Sequence, residues 1–312
     1  MKLNTRSSRL LIMAIAVVAT ATILTTWPAR QVQALRISEN RTSPFGPMII
    51  DPKKVDTKNK YANVGTLIVI RGPNPIGLPP GIAGMATCVL INERVILSAG
   101  HFVARMHNNG NGIPFFSRVV VSFSPNALDE STWIDINRSA SAHVPHPSFP
   151  MPCSPQFCPF DDTDGQAEPG VADIGLSFLD APVQGITPAM LAVNPDSGDP
   201  AWPGERLKQV GYGLTEAPPP GTILFDGLFD GIRRIGMSSN TVIDQNWLSY
   251  SRDPSGTCHG DSGAPTFFDG QVVDIASDGN EDCATGDVRA RVDTAEVRQW
   301  IDDTIAARLG NY

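Results

Sequence analysis

The sequence predicts an all-β protein, a barrel or sandwich of short strands closed by one terminal helix, and three observations predict it. Short apolar runs alternate with clusters of Gly, Pro and Asn, as in Ala86 to Ile91, Arg118 to Phe123 and Ser131 to Ile136. The 27 Pro and 28 Gly supply turns throughout and leave little room for long helices. A helical period occurs once, where Val297, Trp300, Ile301, Ile305 and Leu309 recur on one face before Gly310. The 312 residues suit one large or two small domains, and no internal repeat is visible.

In chain order, residues 1–34 stand apart. Lys2, Arg6 and Arg9 precede an apolar run from Leu10 to Leu24, and Val32-Gln33-Ala34 offers a small-residue cleavage pattern, so this stretch reads as a secretory signal peptide. An uncleaved membrane anchor is the alternative, because the run approaches spanning length. Loss of its four basic residues takes the formal charge from −8 to −12. So acidic a chain does not suit nucleic acid or an anionic membrane surface as a partner. Residues 35–60 carry Pro, Lys, Asn and Asp with little periodicity and read as a pro-segment or linker. Packed structure is expected from residue 61, with a first strand at Val64 to Ile70. The sequons at Asn40 and Asn137 carry meaning only in a eukaryotic secretory route.

Three short stretches carry chemistry. Val89 to Phe102 reads as two apolar strands around a polar turn, ending in small residues that place His101 at a strand end. In Val171 to Leu179 the lone carboxylate of Asp173 opens an alternating apolar strand, a part-buried site that is costly unless it is paired. Gly260-Asp261-Ser262-Gly263 reads as a tight turn in which the N–H groups of Gly260 and Ser262 point the same way, around a nucleophilic Ser262. A serine hydroxyl needs a base to take its proton, and the base needs a carboxylate to hold its tautomer; His101 and Asp173 are the candidates. At the terminal helix, Asp293 is expected to cap, with Glu296 reaching back.

The order His101, Asp173, Ser262 and the flanks of all three resemble the chymotrypsin-like (trypsin-fold) serine endopeptidases, from about Val64 to the C-terminus. Ser98-Ala99-Gly100-His101-Phe102 is similar to the family's Thr-Ala-Ala-His-Cys, and Gly260 to Pro265 to its Gly-Asp-Ser-Gly-Gly-Pro, with Ala264 in place of a glycine. Val272 to Gly279 resembles the strand lining the family's specificity pocket, Gly211-Tyr212-Gly213 its Gly-Trp-Gly turn, and His146-Pro147 its His-Pro segment. The resemblance implies two six-stranded antiparallel β-barrels of the chymotrypsin type, with a C-terminal α-helix docked on the second barrel. It implies a His101, Asp173, Ser262 triad, an oxyanion hole from the N–H groups of Gly260 and Ser262, and hydrolysis of polypeptides through an acyl-enzyme. It further implies a secreted, extracellular or periplasmic monomer with a disulfide between Cys258 and Cys283.

The family's bridge beside the catalytic His is missing, because Phe102 and Ala86 occupy those places. Cys153 and Cys158 are expected to close a small surface loop, leaving Cys88 as a buried free thiol. A zinc site from these cysteines with His143 or His146 lacks the paired spacing of known sites. Asp161, Asp162, Asp164 and Glu168 form a solvated loop or, on the sharper reading, a calcium loop, although the spacing is not that of an EF-hand. No cofactor is otherwise expected. In the family the acid before the nucleophile pairs with an N-terminal ammonium freed by proteolysis; Asp261 matches it, which implies a zymogen whose mature chain starts between Ile37 and Ile50.

The pocket is expected from Gly256, Thr257, Ser277, Asp278, Gly279 and Asp287. Gly256 at its base removes the Asp that selects Arg and Lys in trypsin. Asp287, or Gly286 beside it, matches the opposite wall; an Asp287 carboxylate inside the pocket favours cleavage after Arg or Lys, whereas one facing solvent leaves a pocket for large apolar side chains. The first is the expectation carried forward. Two rivals share the fold: a non-catalytic binding or regulatory protein, which typically lacks a triad member, and an esterase using the same triad.

Overall fold

The computed structural model describes residues 54–72, 80–107, 116–149, 171–194, 206–216, 228–242, 246–250, 255–279, 283 and 287–310. The expected signal peptide, Cys153, Cys158 and the Asp161 to Glu168 cluster lie outside them.

The first sheet is built from β1 (Val64–Arg71), β2 (Gly81–Asn92), β3 (Val95–Ala99), β4 (Phe116–Ser122), β5 (Ile134–Asp135), β6 (His143–Pro145) and β7 (Ile174–Phe178), in the order β5-β4-β1-β2-β3-β7-β6, all antiparallel. A strand with one wet face alternates, yet β1 reads as an unbroken apolar run. The reason is that both of its faces are covered: Leu67 and Val69 pack inside this sheet with Val119, Val121 and Ile96, while Val64 and Ile68 join a cluster that reaches Val210, Tyr212 and Phe267 of the other half.

The second sheet contains β9 (Arg206–Gly211), β10 (Arg234–Val242), β11 (Trp247–Tyr250), β12 (Pro265–Phe268), β13 (Gln271–Gly279) and β14 (Asp287–Arg291). Its order is β12-β9-β10-β11-β14-β13, and β13 returns to pair with β12, closing six strands into a barrel. The short β8 (Met190–Leu191) adds to β13 in parallel. The expected architecture is therefore present. Among the described residues the first half has seven paired strands rather than six, because β5 and β6 are two- and three-residue additions at its edges. The expected strand at Ser131 to Ile136 shrinks to β5, because Asp129 accepts from the N–H of Ser131 and turns Glu130–Thr132 into a single 3₁₀ turn.

Among the described residues two α-helices are present where the sequence indicated one. Helix α1 (Gly100–His107) follows β3 without a loop, burying Phe102, Val103 and Met106 against the first sheet. Eight residues with three anchors give too short a period to read against the preceding apolar strand. Helix α2 (Ala295–Leu309) is the expected one, with Val297 and Ile301 buried and Trp300, Ile305 and Leu309 partly so. Its N-cap is Thr294, not Asp293, and the Thr294 side chain makes no cap hydrogen bond; Asp293 is fully buried and binds the Arg291 guanidinium at 2.9 and 2.7 Å. Nor does α2 rest on the second barrel alone: the Trp300 ring lies 4.7 Å from that of His146, and Arg308 reaches the Ser141 carbonyl and lies over Phe178.

The expected linker is also revised, for residues 54–60 belong to the folded body. Lys54 and Asp56 pair through their backbones with Ile235 and Arg233, and the carboxylate of Asp56 accepts from the N–H groups of Lys60 and Tyr61. The fully buried guanidinium of Arg233 donates to Asp56 at 3.1 Å, to the carbonyls of Val64 and Phe123 at 2.8 and 3.0 Å, and to the Tyr212 hydroxyl at 3.1 Å. One cation thus ties the entering strap, the first sheet and the second half together. Arg233→Met leaves the buried Asp56 carboxylate without its cation and takes a donor from the carbonyls of Val64 and Phe123, so urea unfolding of that variant should show a loss of about 3–5 kcal/mol, against about 1 kcal/mol or less for Arg118→Met, whose Asp135 partner is exposed.

Candidate active site

Antiparallel register brings the first two expected residues together. β3 and β7 pair with Ala99 opposite Ile174, so the chain leaving β3 into α1 passes the residue just before β7. A Cβ on Gly100 would lie 2.8 Å from the backbone N and O of Ile174, and only glycine permits that approach. His101 then sits beside Asp173. Its backbone N–H donates to Oδ1 at 2.6 Å and its ring Nδ1 lies 2.8 Å from Oδ2. Asp173 is fully rather than partly buried. Burial opposes its ionisation, but the His101 ring, its backbone N–H and the Ser277 hydroxyl, donating at 2.5 Å, outweigh that and hold the carboxyl below its usual range.

The third residue comes from the other half of the molecule. Ser262 lies in the turn before β12, and its Oγ is 3.1 Å from His101 Nε2. Gly260 and Gly263 have φ of 94° and 84°, in the left-handed region where a side chain is strained. Sequence reasoning passed over Thr87, the buried residue of β2 that locks this turn in place. Its N–H and Oγ1 both donate to the Gly260 carbonyl at 3.0 Å, its Oγ1 accepts from the Tyr212 N–H, and its carbonyl accepts from Ser98. The available signal was a threonine inside the apolar run Met85 to Ile91. Among the described residues no protein acceptor takes the N–H of Gly260 or of Ser262.

Between them, Asp261 turns inward. Its fully buried carboxyl accepts from the N–H of Gly213 at 2.9 Å and of Cys258 at 3.3 Å, and packs so tightly on Gly213 that a Cβ there would overlap it. Burial raises its pKa to about 7, against the lowering effect of the two N–H groups and Arg289. The expected bridge from Cys258 to Cys283 is formed, and Cys88 is a buried free thiol whose ionisation burial suppresses.

Beside Ser262 opens a cleft of about 70 Å³ lined by Thr257, Cys258, His259, Ser262, Ala276, Ser277, Asp278 and Gly279. Four of the expected pocket residues are there: Thr257, Ser277, Asp278 and Gly279. Gly256 is buried and outside the lining. Asp287 is also outside it, because its carboxylate is turned to Arg289, which donates Nε at 3.2 Å and Nη2 at 3.0 Å to the same oxygen. His259, also in the lining, was not anticipated. Among the described residues there is no cluster of three or more His, Cys, Asp or Glu able to hold a metal ion, and no helix long and apolar enough to cross a membrane.

This architecture is similar to that of a mutant of human heparin binding protein (CAP37), at TM-score 0.52 and 15% identity over 83% of this chain and 98% of that one. It is similar also to a structure titled GrC, at TM-score 0.54 and 14% identity over 81% and 97%. No curated protein matches the chain. The family model described as Trypsin matches residues 81–301, well over half of the 312 residues and including His101, Asp173 and Ser262, and the chain therefore belongs to the trypsin family.

Proposed function

We propose that the protein is a serine endopeptidase that hydrolyses polypeptides through an acyl-enzyme. The observation that carries this is the continuous line from the Asp173 carboxylate through the His101 ring to Ser262 Oγ, at 2.8 and 3.1 Å, beside two untaken N–H groups. Asp173, held ionised, accepts from Nδ1–H and so leaves the lone pair of Nε2 facing the serine hydroxyl. His101 takes the hydroxyl proton as Ser262 attacks the substrate carbonyl, then returns it to the leaving amine. Asp173 stabilises the imidazolium formed in between. The N–H groups of Gly260 and Ser262 are the donors for the negative oxygen of the tetrahedral intermediate.

Secretion as a monomer, with residues 1–34 removed, is part of this reading, and the disulfide between Cys258 and Cys283 supports an oxidising compartment. So is activation by proteolysis. Among the described residues Asp261 accepts from backbone N–H groups alone, which suits it to receive an ammonium from a new N-terminus between Ile37 and Ile50. Those isoleucines lie outside the described residues. N-terminal sequencing of the active form tests this, and an active chain beginning at Leu35 would refute it.

Ser262→Ala should reduce cleavage of a denatured protein by at least about 10⁴-fold, and Asp173→Asn by a similar factor, with folding intact by circular dichroism. Parent-like proteolysis in Ser262→Ala would overturn the mechanism, and hydrolysis of small esters without proteolysis would favour the esterase.

The raised pKa of Asp261 sets a second outcome. The folded state favours the neutral carboxyl, so its contribution is full below the unfolded pKa near 4 and is lost as pH rises through about 7. Measured by urea unfolding of the full chain, parent and Asp261→Asn should be equally stable at pH 4. The variant should gain on the parent up to about pH 7, by on the order of 4 kcal/mol, and a difference independent of pH would refute the assignment.

A further inference from the structure

Behind the cleft lies a buried charge cluster that the triad does not use. Asp287 and Arg289 stand two apart on β14, hence on the same face, directed into the barrel. Arg289 is fully buried. Besides gripping Asp287, its guanidinium donates to Thr266 Oγ1 at 3.0 Å and to the carbonyl of Ala264 at 3.1 Å, close to the nucleophile turn, and lies 5.0 Å from the centre of the Tyr250 ring. A second carboxylate, Asp274, is 3.6 Å away and accepts from the Tyr250 hydroxyl at 2.6 Å. The donors of Arg289 are thus taken by the protein's own acceptors.

The position of Asp287 makes this consequential. It is the register partner of Gly279, and a Cβ placed on Gly279 would lie 3.6 Å from Asp287 Cβ and 4.0 Å from Thr257 Oγ1. Thr257 and Gly279 are the cleft wall. The carboxylate therefore starts immediately behind that wall, with Oδ2 held by Arg289 and Oδ1 buried without a hydrogen-bond partner among the described residues. In front of it the cleft of about 70 Å³ holds a side chain of a few heavy atoms, not the stem and head of Lys or Arg. Its lining carries one carboxylate, Asp278, and that bonds the N–H of Gly279 at 2.7 Å.

We propose that Arg289 is a positioning residue for substrate specificity: it holds Asp287 behind the Thr257 and Gly279 wall, leaving a small pocket from which the Asp287 charge is withheld, so the enzyme cleaves after small uncharged side chains. This replaces the sequence-based expectation of cleavage after Arg or Lys, and it rests on the peptidase reading above. The carboxylate that would select a basic side chain is present, but an internal arginine already occupies the place of the substrate's cation.

The test is a peptide-library digest by the form secreted from the full chain and by three variants. The parent should cut after Ala, Ser, Thr or Val at least tenfold more often than after Arg or Lys. Arg289→Met should raise the ratio of basic to small residues at the cut site at least tenfold, while Arg289→Lys, which keeps the cation, should retain the parent profile. Asp287→Ala should shift the profile the other way, by at least tenfold towards Asp and Glu, because it frees the guanidinium; it also stands as the test should Arg289→Met fail to fold. A purely structural pair would lower all cleavage without such opposite shifts. Basic preference in the parent, or unchanged profiles in the folded variants, would overturn the proposal. Labelling of Ser262 by a fluorophosphonate separates this from failure of the peptidase reading. If labelling and cleavage are both absent, calorimetry with n-butylammonium decides: binding to Arg289→Met and not to the parent supports the assignment, and any other pattern refutes it.

Discussion

The constraint on which the structure depends is that a carboxylate removed from water must be met by donors that the fold itself supplies. Asp56, Asp173, Asp261, Asp274, Asp287 and Asp293 are all buried. An isolated ion in such places would cost several kcal/mol, so each has been given a partner or has its ionisation suppressed. The partners differ in kind, and that difference sorts structural carboxylates from those at the active site. Asp56, Asp287 and Asp293 each face an arginine that is itself buried, whereas Asp173 faces an imidazole and a hydroxyl. Asp261 has two backbone N–H groups and no cation at bonding distance among the described residues, which is why its pKa rises while that of Asp173 falls.

The site exists only because two halves meet. His101 follows β3 and Asp173 precedes β7, adjacent strands of the first sheet. Ser262 does not belong to that sheet, and 3.1 Å between its Oγ and the imidazole requires docking to within a fraction of an ångström. Thr87 supplies one such tie, from β2 to the nucleophile turn, and Arg233 another, from the entering strap to both halves. Both ties use backbone carbonyls as acceptors. Thr87, the donor of the first tie, is placed by β2, so the register of β1 and β2 is transmitted directly to the Gly260 carbonyl and with it to the nucleophile turn.

Placement, rather than residue type, also decides what the cleft offers. The acid behind the pocket wall is ordinary as sequence, and its meaning depends on a neighbour two residues on. Because a strand presents residues i and i+2 on one face, Asp287 and Arg289 necessarily meet inside the barrel, and the nearer cation takes the carboxylate before any substrate can. Arg291 and Asp293 repeat the same arrangement and thereby draw Asp293 away from the helix cap that its position suggested.

By itself the sequence determined the all-β class, the order His101, Asp173, Ser262, the pairing partner of Cys258 through family resemblance, and the apolar face of α2. These are properties of short windows, in which residue type, spacing and turn chemistry speak directly. Only the tertiary structure decided that Asp287 binds Arg289, that Thr87 holds the nucleophile turn, that residues 54–60 are strapped down by Arg233, and that the chain after β3 coils into α1. Each of those outcomes is a competition among partners far apart in the chain or on the same buried face, such as Thr87 and Gly260 at a separation of 173 residues. A local pattern names the candidates for a hydrogen bond or an ion pair, but distance in the folded state selects among them.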